Sequence, residues 1–468
     1  MTRKPAADVK ALLSAEGQEH LASVFDALDA AKAEAFAAEL RSVDFPLLKR
    51  LVLQAGLPEI PVSTGAMSPP HVVRKNADPV ADRRRRATGE ALLRAGKVAA
   101  LVVAGGQGSR LGHAGPKGTF PATPVKKKTL FRLFSEKLIA LGRRYGRAVP
   151  FLVMTSEENH ADTVAFFEAN DHFGLAPGQA RFFTQGMLPA VDRDGRLVMK
   201  ELGALFRSPN GHGGTLLALA TSGLLDELER EGTEEIFYFQ VDNPLVEMCD
   251  PTFVGGHREA GSEFSSKVVR KSGPEEKVGV LVSQGGVLTV VEYSDLPAEL
   301  RDARNPDGSL QFSAGNIAVH MLRTDFVRRL NAHGFSLPFH VARKKLPCVA
   351  ADGRLVDVQG LKFETFVFDA LASAKSTFCL EVEREAEFAP IKNASGVDSA
   401  ASSADLQSRL AAKWLEGAGI ASPRGPDGAP VQPIEISPLY ADGFDELVKR
   451  KPARPSFDQP VYLDEPRR

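Results

Sequence analysis

The segment Ala104 to Gly118, AGGQGSRLGHAGPKG, gathers residues whose types and spacing suit one chemistry. Glycines at 105, 106 and 108 let the backbone come close to a ligand and reach conformations that other residues avoid. Successive free N–H groups in such a loop form a cradle for an anion. Arg110 adds a planar fork of donors and Lys117 a compact charge. Together they suit a polyphosphate; the plainer alternative is a tight strand-to-helix turn. Spacing narrows the choice. No Lys-Ser or Lys-Thr pair follows the glycines at the distance a P-loop requires. A dinucleotide fingerprint started at Gly106 and Gly108 meets Leu111 where its third glycine belongs, so a nicotinamide-dependent oxidoreductase is not expected.

Such a loop has to be held by a strand before it and a helix after it. Val98 to Val103, with three valines, reads as a buried strand of a parallel sheet. After the loop, Leu130, Phe131, Phe134, Leu138, Ile139 and Leu141 form one helical stripe. Further strands are expected at Val149 to Met154 and Ile236 to Val241, the latter reached through a helix from Thr215 to Leu228. This order predicts an α/β fold, a doubly wound mixed sheet of Rossmann-like type. Ligands then bind beyond the carboxyl ends of strands, in the loops after Val103, Met154 and Val241. Residues 1–88 read as a helical region and connector, the connector being Pro-rich from Leu57 to Pro70. Residues 89–392 read as the α/β body, and 393–468 as a linker followed by a small C-terminal domain. Arg83 to Arg86 fall in a helix, as a solvated face or an anion patch.

Composition sets the outer limits. The 468 residues are 43% hydrophobic and 25% charged, which rules out general disorder. Lys plus Arg is 58 and Asp plus Glu is 59, so bulk attraction to nucleic acid or anionic membrane is not expected. Cys249, Cys348 and Cys379 make no disulfide framework and no metal-ligand spacing. The longest apolar run, Val98 to Gly106, falls far short of the roughly 20 residues of a membrane span, and a cytoplasmic protein is expected.

AGGQGSRLG followed by PKG resembles the nucleotide-binding signature of UTP-dependent sugar-1-phosphate uridylyltransferases, and most closely the eukaryotic-type UDP-N-acetylhexosamine pyrophosphorylases. FLVMTSEEN, FFTQGMLPA, SPNGHGG, QVDNPLV, VVEYSDL, SAGNIAVH, GLKFETFVFDAL and EFAPIKNA continue the likeness in order, over about residues 97 to 440. The resemblance implies transfer of the uridylyl group of UTP to a sugar 1-phosphate, with Mg²⁺ and release of pyrophosphate. It implies that Ala104, Gly105 and Gly106 hold the nucleoside part, that Gln185 and Gly211 meet uracil, and that Arg110, Lys117, Lys362 and Lys392 face phosphates. Asp242, at the end of a central strand, is the expected Mg²⁺ ligand; its plainer role is loop bracing. Gly279, Glu292, Tyr293 and Asn316 are the expected sugar contacts, with Glu292 and Asn316 foremost. The attacking phosphate is already an anion near neutral pH, its second pKa being about 6, so no protein nucleophile is needed.

One departure bears on the sugar. The hexosamine enzymes carry G-N-G-G where this chain has Gly211, His212, Gly213 and Gly214, and a histidine there resembles the G-H-G-D of UDP-glucose pyrophosphorylases. N-acetylglucosamine 1-phosphate is the expected substrate, with glucose 1-phosphate or a broad sugar range as the alternative. A nucleotide-sugar sensor without catalysis is a reading of another class.

Overall fold

Six apolar residues in succession cannot share a strand face with water. In the computed structural model, Val98–Val103 is a strand buried at all six positions. The structure describes residues 7–57, 67–334 and 337–465. Strand Glu235–Gln240 pairs with Val98–Val103 in parallel, from Glu235 opposite Val98 to Gln240 opposite Val103. Phe151–Thr155 lies in parallel on the other side, followed by Ala180–Thr184. Beyond Glu235–Gln240 come Ala314–Arg323 and Phe264–Arg270, each antiparallel to its predecessor, and then Thr377–Val382, parallel to Phe264–Arg270. A hairpin of Val280–Gln284 and Val287–Val291 completes this part of the mixed sheet. The expected strands are present with ends shifted by one or two residues.

Helix Leu130–Tyr145 buries Leu130, Phe131, Phe134, Leu138 and Leu141 in the sheet's main core, as its stripe predicts. Thr129 caps its start by accepting the Arg132 N–H. The single helix expected from Thr215 to Leu228 is two, Gly214–Thr221 and Leu224–Arg230. The break falls at Gly223, whose φ of +82° is left-handed.

The chain divides into two compact units. One comprises Met1–Pro61, Gln185–Thr215 and Leu337–Val367; the other, which holds the mixed sheet, comprises Val62–Thr184, Leu216–Ser336 and Phe368–Arg468. In the first, helices Ala7–Ala15, Ala30–Arg41 and Phe45–Gly56 and the 3₁₀ turn Glu19–Ala27 follow the expected helical stretch. Their Leu13, Phe25, Phe36 and Leu48 pack on Val191, Leu361 and Phe363 of a five-stranded antiparallel sheet and on Leu197 in a loop next to it. Of the expected Pro-rich connector, residues 58–66 lie outside the described residues.

The arginine run sits in helix Pro79–Arg94. Arg84 pairs with Glu259 at 3.0 Å, Arg85 with Asp82 at 2.9 Å, and Arg86 with Glu90 and Asp445 at 3.1 and 2.8 Å, which favours the solvated-face reading. The three cysteines are free and buried.

The expected linker from Asn393 to Asp405 is corrected: only its first half is a loop. Helix Ala400–Gly417 begins inside it, because Ser399 and Ser402 make a reciprocal cap. Ser399 Oγ accepts from Ser402 N at 3.2 Å, and Ser402 Oγ accepts from Ser399 N at 2.9 Å. Serines and alanines read as flexible by composition; here they are a helix start. The helix buries Ala412 and Leu415 against Ile434, Leu447 and Val461 in a small core of its own. Ser399→Ala is expected to lower stability by about 1 kcal/mol in chemical denaturation, and residues 400–405 should resist limited proteolysis.

Candidate functional site

The loop after Val103 folds back on itself. Gly108 N donates to Gly115 O at 2.9 Å, and Lys117 N donates to Gly106 O at 3.0 Å. Arg110 therefore stands on an exposed turn, Ser109–Leu111, at the far end of the loop, with Lys117 at its base. Ala104 N donates to Met154 O at 2.8 Å, so its amide belongs to the sheet. Asn159, fully buried, braces the loop from below: its Nδ2 donates to Ala104 O at 2.9 Å and to Gly106 O at 3.3 Å. Sequence reasoning missed Asn159, although it closes the quoted FLVMTSEEN block. A Cβ on Gly106 would meet nothing within 4 Å, so the fold does not require glycine there.

Asp242 follows strand Glu235–Gln240 and lies beside this loop, with Lys117 Nζ 3.3 Å from its Oδ2. The segment Glu387 to Lys392 runs alongside. Asn243, nearly buried, grips it at two points: Nδ2 donates to Glu387 O at 2.7 Å and Oδ1 accepts from Ala389 N at 3.1 Å. Ile391 N donates to Asp242 O at 2.8 Å, which sets Lys392 near the carboxylate. Lys392 Nζ is 4.0 Å from Asp398, and its N–H donates to Asp398 O at 2.6 Å. Burial pushes the Asp398 carboxyl up; Lys392 opposes this and the charge of Asp242 adds to it. Asp242 and Asp398 are residues here that could take a divalent cation, which typically uses one or two protein carboxylates with phosphates completing its shell. Asp398 and Asn243 were not singled out by sequence. Asp398 lay in the presumed linker, and Asn243 was hidden by its neighbour.

The Glu387 end of that segment is anchored in a buried ionic cluster. Lys267, fully buried, reaches Glu387 at 2.5 Å and Asp250 at 2.9 Å, and Lys75 reaches Asp250 at 2.9 Å and Glu247 at 2.6 Å. Glu247, Asp250 and Glu387 lie close enough together to suggest a cation site. Two lysines already occupy that role, and they draw the Asp250 carboxyl well below its usual range despite its burial.

Gly279, Glu292 and Asn316 are brought together. Asn316 N donates to Gly279 O at 2.8 Å, and a Cβ on Gly279 would lie 3.3 Å from Glu292 Oε1. Asn316 Oδ1 accepts from Ala318 N at 3.0 Å, across a bulge where Ala318 has a φ of +53°. Tyr293 stands 45% exposed on the turn after Glu292.

Gln185, Gly211, His212 and Lys362 belong to the other unit, where three segments are tied together. Asn210 N donates to Gly186 O at 3.0 Å, and Thr365 N donates to Asn210 O at 2.8 Å. Gly213 N donates to Thr365 O at 2.9 Å. Gln185 is buried, and Lys362 Nζ lies 4.7 Å from the Phe206 ring centre. His212 Nδ1 accepts from Val367 N at 3.1 Å, and its ring stacks on Phe366 at 5.3 Å. Burial, aided by His340, pushes its pKa down to about 4, so the imidazole is neutral at pH 7 with its proton on Nε2.

A hydroxyl, an imidazole and a carboxylate also line up elsewhere. His257 lies 2.6 Å from Ser265 Oγ and 2.9 Å from Glu235. All three are buried to 1% exposure or less, at the opposite end of the strand that leads to Asp242, so substrate cannot reach them.

A glycine loop, lysines and a carboxylate at adjacent strand ends fit a phosphate-handling α/β protein. The model of the UTP–glucose-1-phosphate uridylyltransferase family matches residues 62–406. The chain belongs to that family of nucleotidyltransferases. It is 35% identical to human UDP-N-acetylhexosamine pyrophosphorylase-like protein 1, over 98% of this chain and 97% of the relative. It is 36% identical to the Saccharomyces cerevisiae UDP-N-acetylglucosamine pyrophosphorylase, over 69% of this chain and 71% of the relative. Among solved structures, the uridine diphosphate N-acetylglucosamine pyrophosphorylase of Trypanosoma brucei, in complex with an inhibitor, superposes with a TM-score of 0.81 at 26% identity, covering 98% of this chain and 99% of that one. The putative UDP-N-acetylglucosamine pyrophosphorylase of Entamoeba histolytica gives 0.77 at 31% identity, over 85% of this chain and 100% of that one.

Gly211 has a φ of +84°, and a Cβ there would sit 2.3 Å from Thr365 O. Gly211→Ala is expected to cost about 2–3 kcal/mol of stability, read from a shifted denaturant midpoint.

Proposed function

We propose that the chain makes UDP-N-acetylglucosamine and pyrophosphate from UTP and N-acetylglucosamine 1-phosphate. One observation carries the reading: Lys117, Asp242, Lys392 and Asp398 meet beside the glycine loop at adjacent strand ends. The names of the relatives support the acetylated amino sugar.

A phosphate oxygen of the sugar phosphate attacks the α-phosphorus of UTP, the bond to the β-phosphate bridge breaks, and pyrophosphate leaves with its electron pair. The chain's task is to hold two anions together and to face the departing charge with cations. Gly105 and Gly106 let the nucleotide approach the backbone. In the other unit, Gln185 has both a donor and an acceptor of the kind a pyrimidine edge can use. Lys117 exchanges its carboxylate partner for the leaving pyrophosphate, and Arg110, on the turn at the far end of the loop, supplies a second cation. Lys392 neutralises remaining phosphate charge. Glu292 and Asn316 orient the sugar from the framework at Gly279, with Tyr293 at the rim. Asp242 and Asp398 would hold Mg²⁺, which when bound supplies charge neutralisation at the phosphates.

A second reading rests on His212. A neutral imidazole donor stands where the hexosamine branch has asparagine, which suits a broader acceptor range including glucose 1-phosphate. Pyrophosphate release from UTP and Mg²⁺, compared for glucose, galactose, N-acetylglucosamine and N-acetylgalactosamine 1-phosphates, decides between the two. Release with none of them would leave only the sensor reading.

Asp242→Ala should reduce kcat by at least about 100-fold with the melting temperature nearly unchanged. An unaltered rate and Mg²⁺ dependence would remove Asp242 from the metal role. Gly106→Ala meets open space and should fold as the parent does, yet raise the UTP KM about tenfold in steady-state kinetics, because the new methyl group intrudes on the nucleotide.

A further inference from the structure

A cavity of about 410 Å³ opens between helix Leu130–Tyr145, the loop after Asn243, helix Ala400–Gly417 and the C-terminal segment near residue 440. Its size falls in the range of small-molecule sites, about 300–1,000 Å³. Leu133, Val246, Leu410, Trp414 and Phe444 supply apolar wall. Four basic residues line it, and three of them are matched by carboxylates. Lys75 meets Glu247 at 2.6 Å, Arg86 meets Asp445 at 2.8 Å, and Arg144 meets Asp442. The remaining acid, Glu435, accepts from Val125 N and Lys126 N at 2.8 and 2.7 Å.

Lys137 is the exception. Its ammonium donates to two carbonyls, Pro244 O at 2.7 Å and Val246 O at 2.8 Å. Dipoles stand where its neighbours have carboxylates, and burial pushes its pKa down to about 8, against a partial pull from Glu387 and Glu247. Among the described residues no carboxylate lies within ion-pair distance of Lys137, while the other charged groups of the lining are ion-paired or, for Glu435, bonded to backbone amides; such a positive charge beside an apolar wall calls for an anion.

We propose that this cavity is a binding site for a small amphiphilic monoanion, an aromatic or short-chain acyl carboxylate or sulfonate, with its head on Lys137 and its apolar body along Trp414. Pro244 and Val246 lie two and four residues past Asp242. An occupant that draws Lys137 away loosens those carbonyls, so it acts on turnover from outside the nucleotide loop.

Trp414 is the chain's single tryptophan, so its emission reports on the cavity directly. The test titrates the full chain with 1-anilinonaphthalene-8-sulfonate and with N-phenyl-1-naphthylamine, which has the same rings without the charge. The expected result is saturable quenching of Trp414 by the sulfonate, unchanged by saturating UTP, with the uncharged probe binding at least tenfold more weakly. Lys137→Met should abolish that difference. No saturable quenching, equal affinity for the two probes, or displacement by UTP would overturn the site. The two probes decide on the parent protein even if the variant fails to fold. Loss of kcat at unchanged UTP KM, on adding the sulfonate, supports the coupling, and quenching without that loss overturns it. This last readout alone rests on the uridylyltransferase reading.

Discussion

The parallel pairing of Val98–Val103 with Glu235–Gln240, aligned residue for residue, decides where this molecule concentrates charge. Because the two strands end level, the glycine loop after one and Asp242 after the other are neighbours, and Lys117 can reach across at 3.3 Å. Two polyanions repel each other, and only a site with several fixed positive charges and amides can hold both. A slip of one residue in this register would turn every buried side chain of the strand to the other face and separate loop from carboxylate.

A second set of contacts holds the opposite wall. Glu387 to Lys392 has no regular strand of its own near Asp242, and it is kept in place by the two-point grip of Asn243 and by Lys267 on Glu387. A buried lysine pair of this kind is a poor source of net stability, since desolvation offsets most of the attraction. Its value here is positional: the same segment carries Lys392 and leads to Asp398. The contrast with Ser265, His257 and Glu235 is instructive. Those groups have catalytic types and distances, yet they sit fully buried at the wrong end of the strand.

Three neighbouring strands of the mixed sheet were legible from short apolar runs such as Val98–Val103, and its main helix from the stripe on Leu130–Tyr145; the other strands of the sheet were not. The glycine loop was legible because few other uses exist for that composition. What stayed hidden depends on distant segments meeting. Nothing local in Val191 or Leu361 announces that they share a core with Leu13 and Phe36. Asn159, Asn243 and Asp398 act through backbone they touch, and a single amide or carboxylate in a loop has no pattern to betray it. The cap at Ser399 was misread for a related reason: serine serves linkers and helix starts alike, and only the geometry tells them apart.

On the proposed function, one phosphorus changes partners in a single displacement, with the protein supplying cations and position and no covalent link. The most direct measurement follows the configuration at the α-phosphorus when one diastereomer of UTP carrying sulfur at that phosphorus is turned over with N-acetylglucosamine 1-phosphate. Inversion of configuration is the predicted result. Retention would require a second displacement through a nucleotidylated side chain and would rule out the single-step transfer.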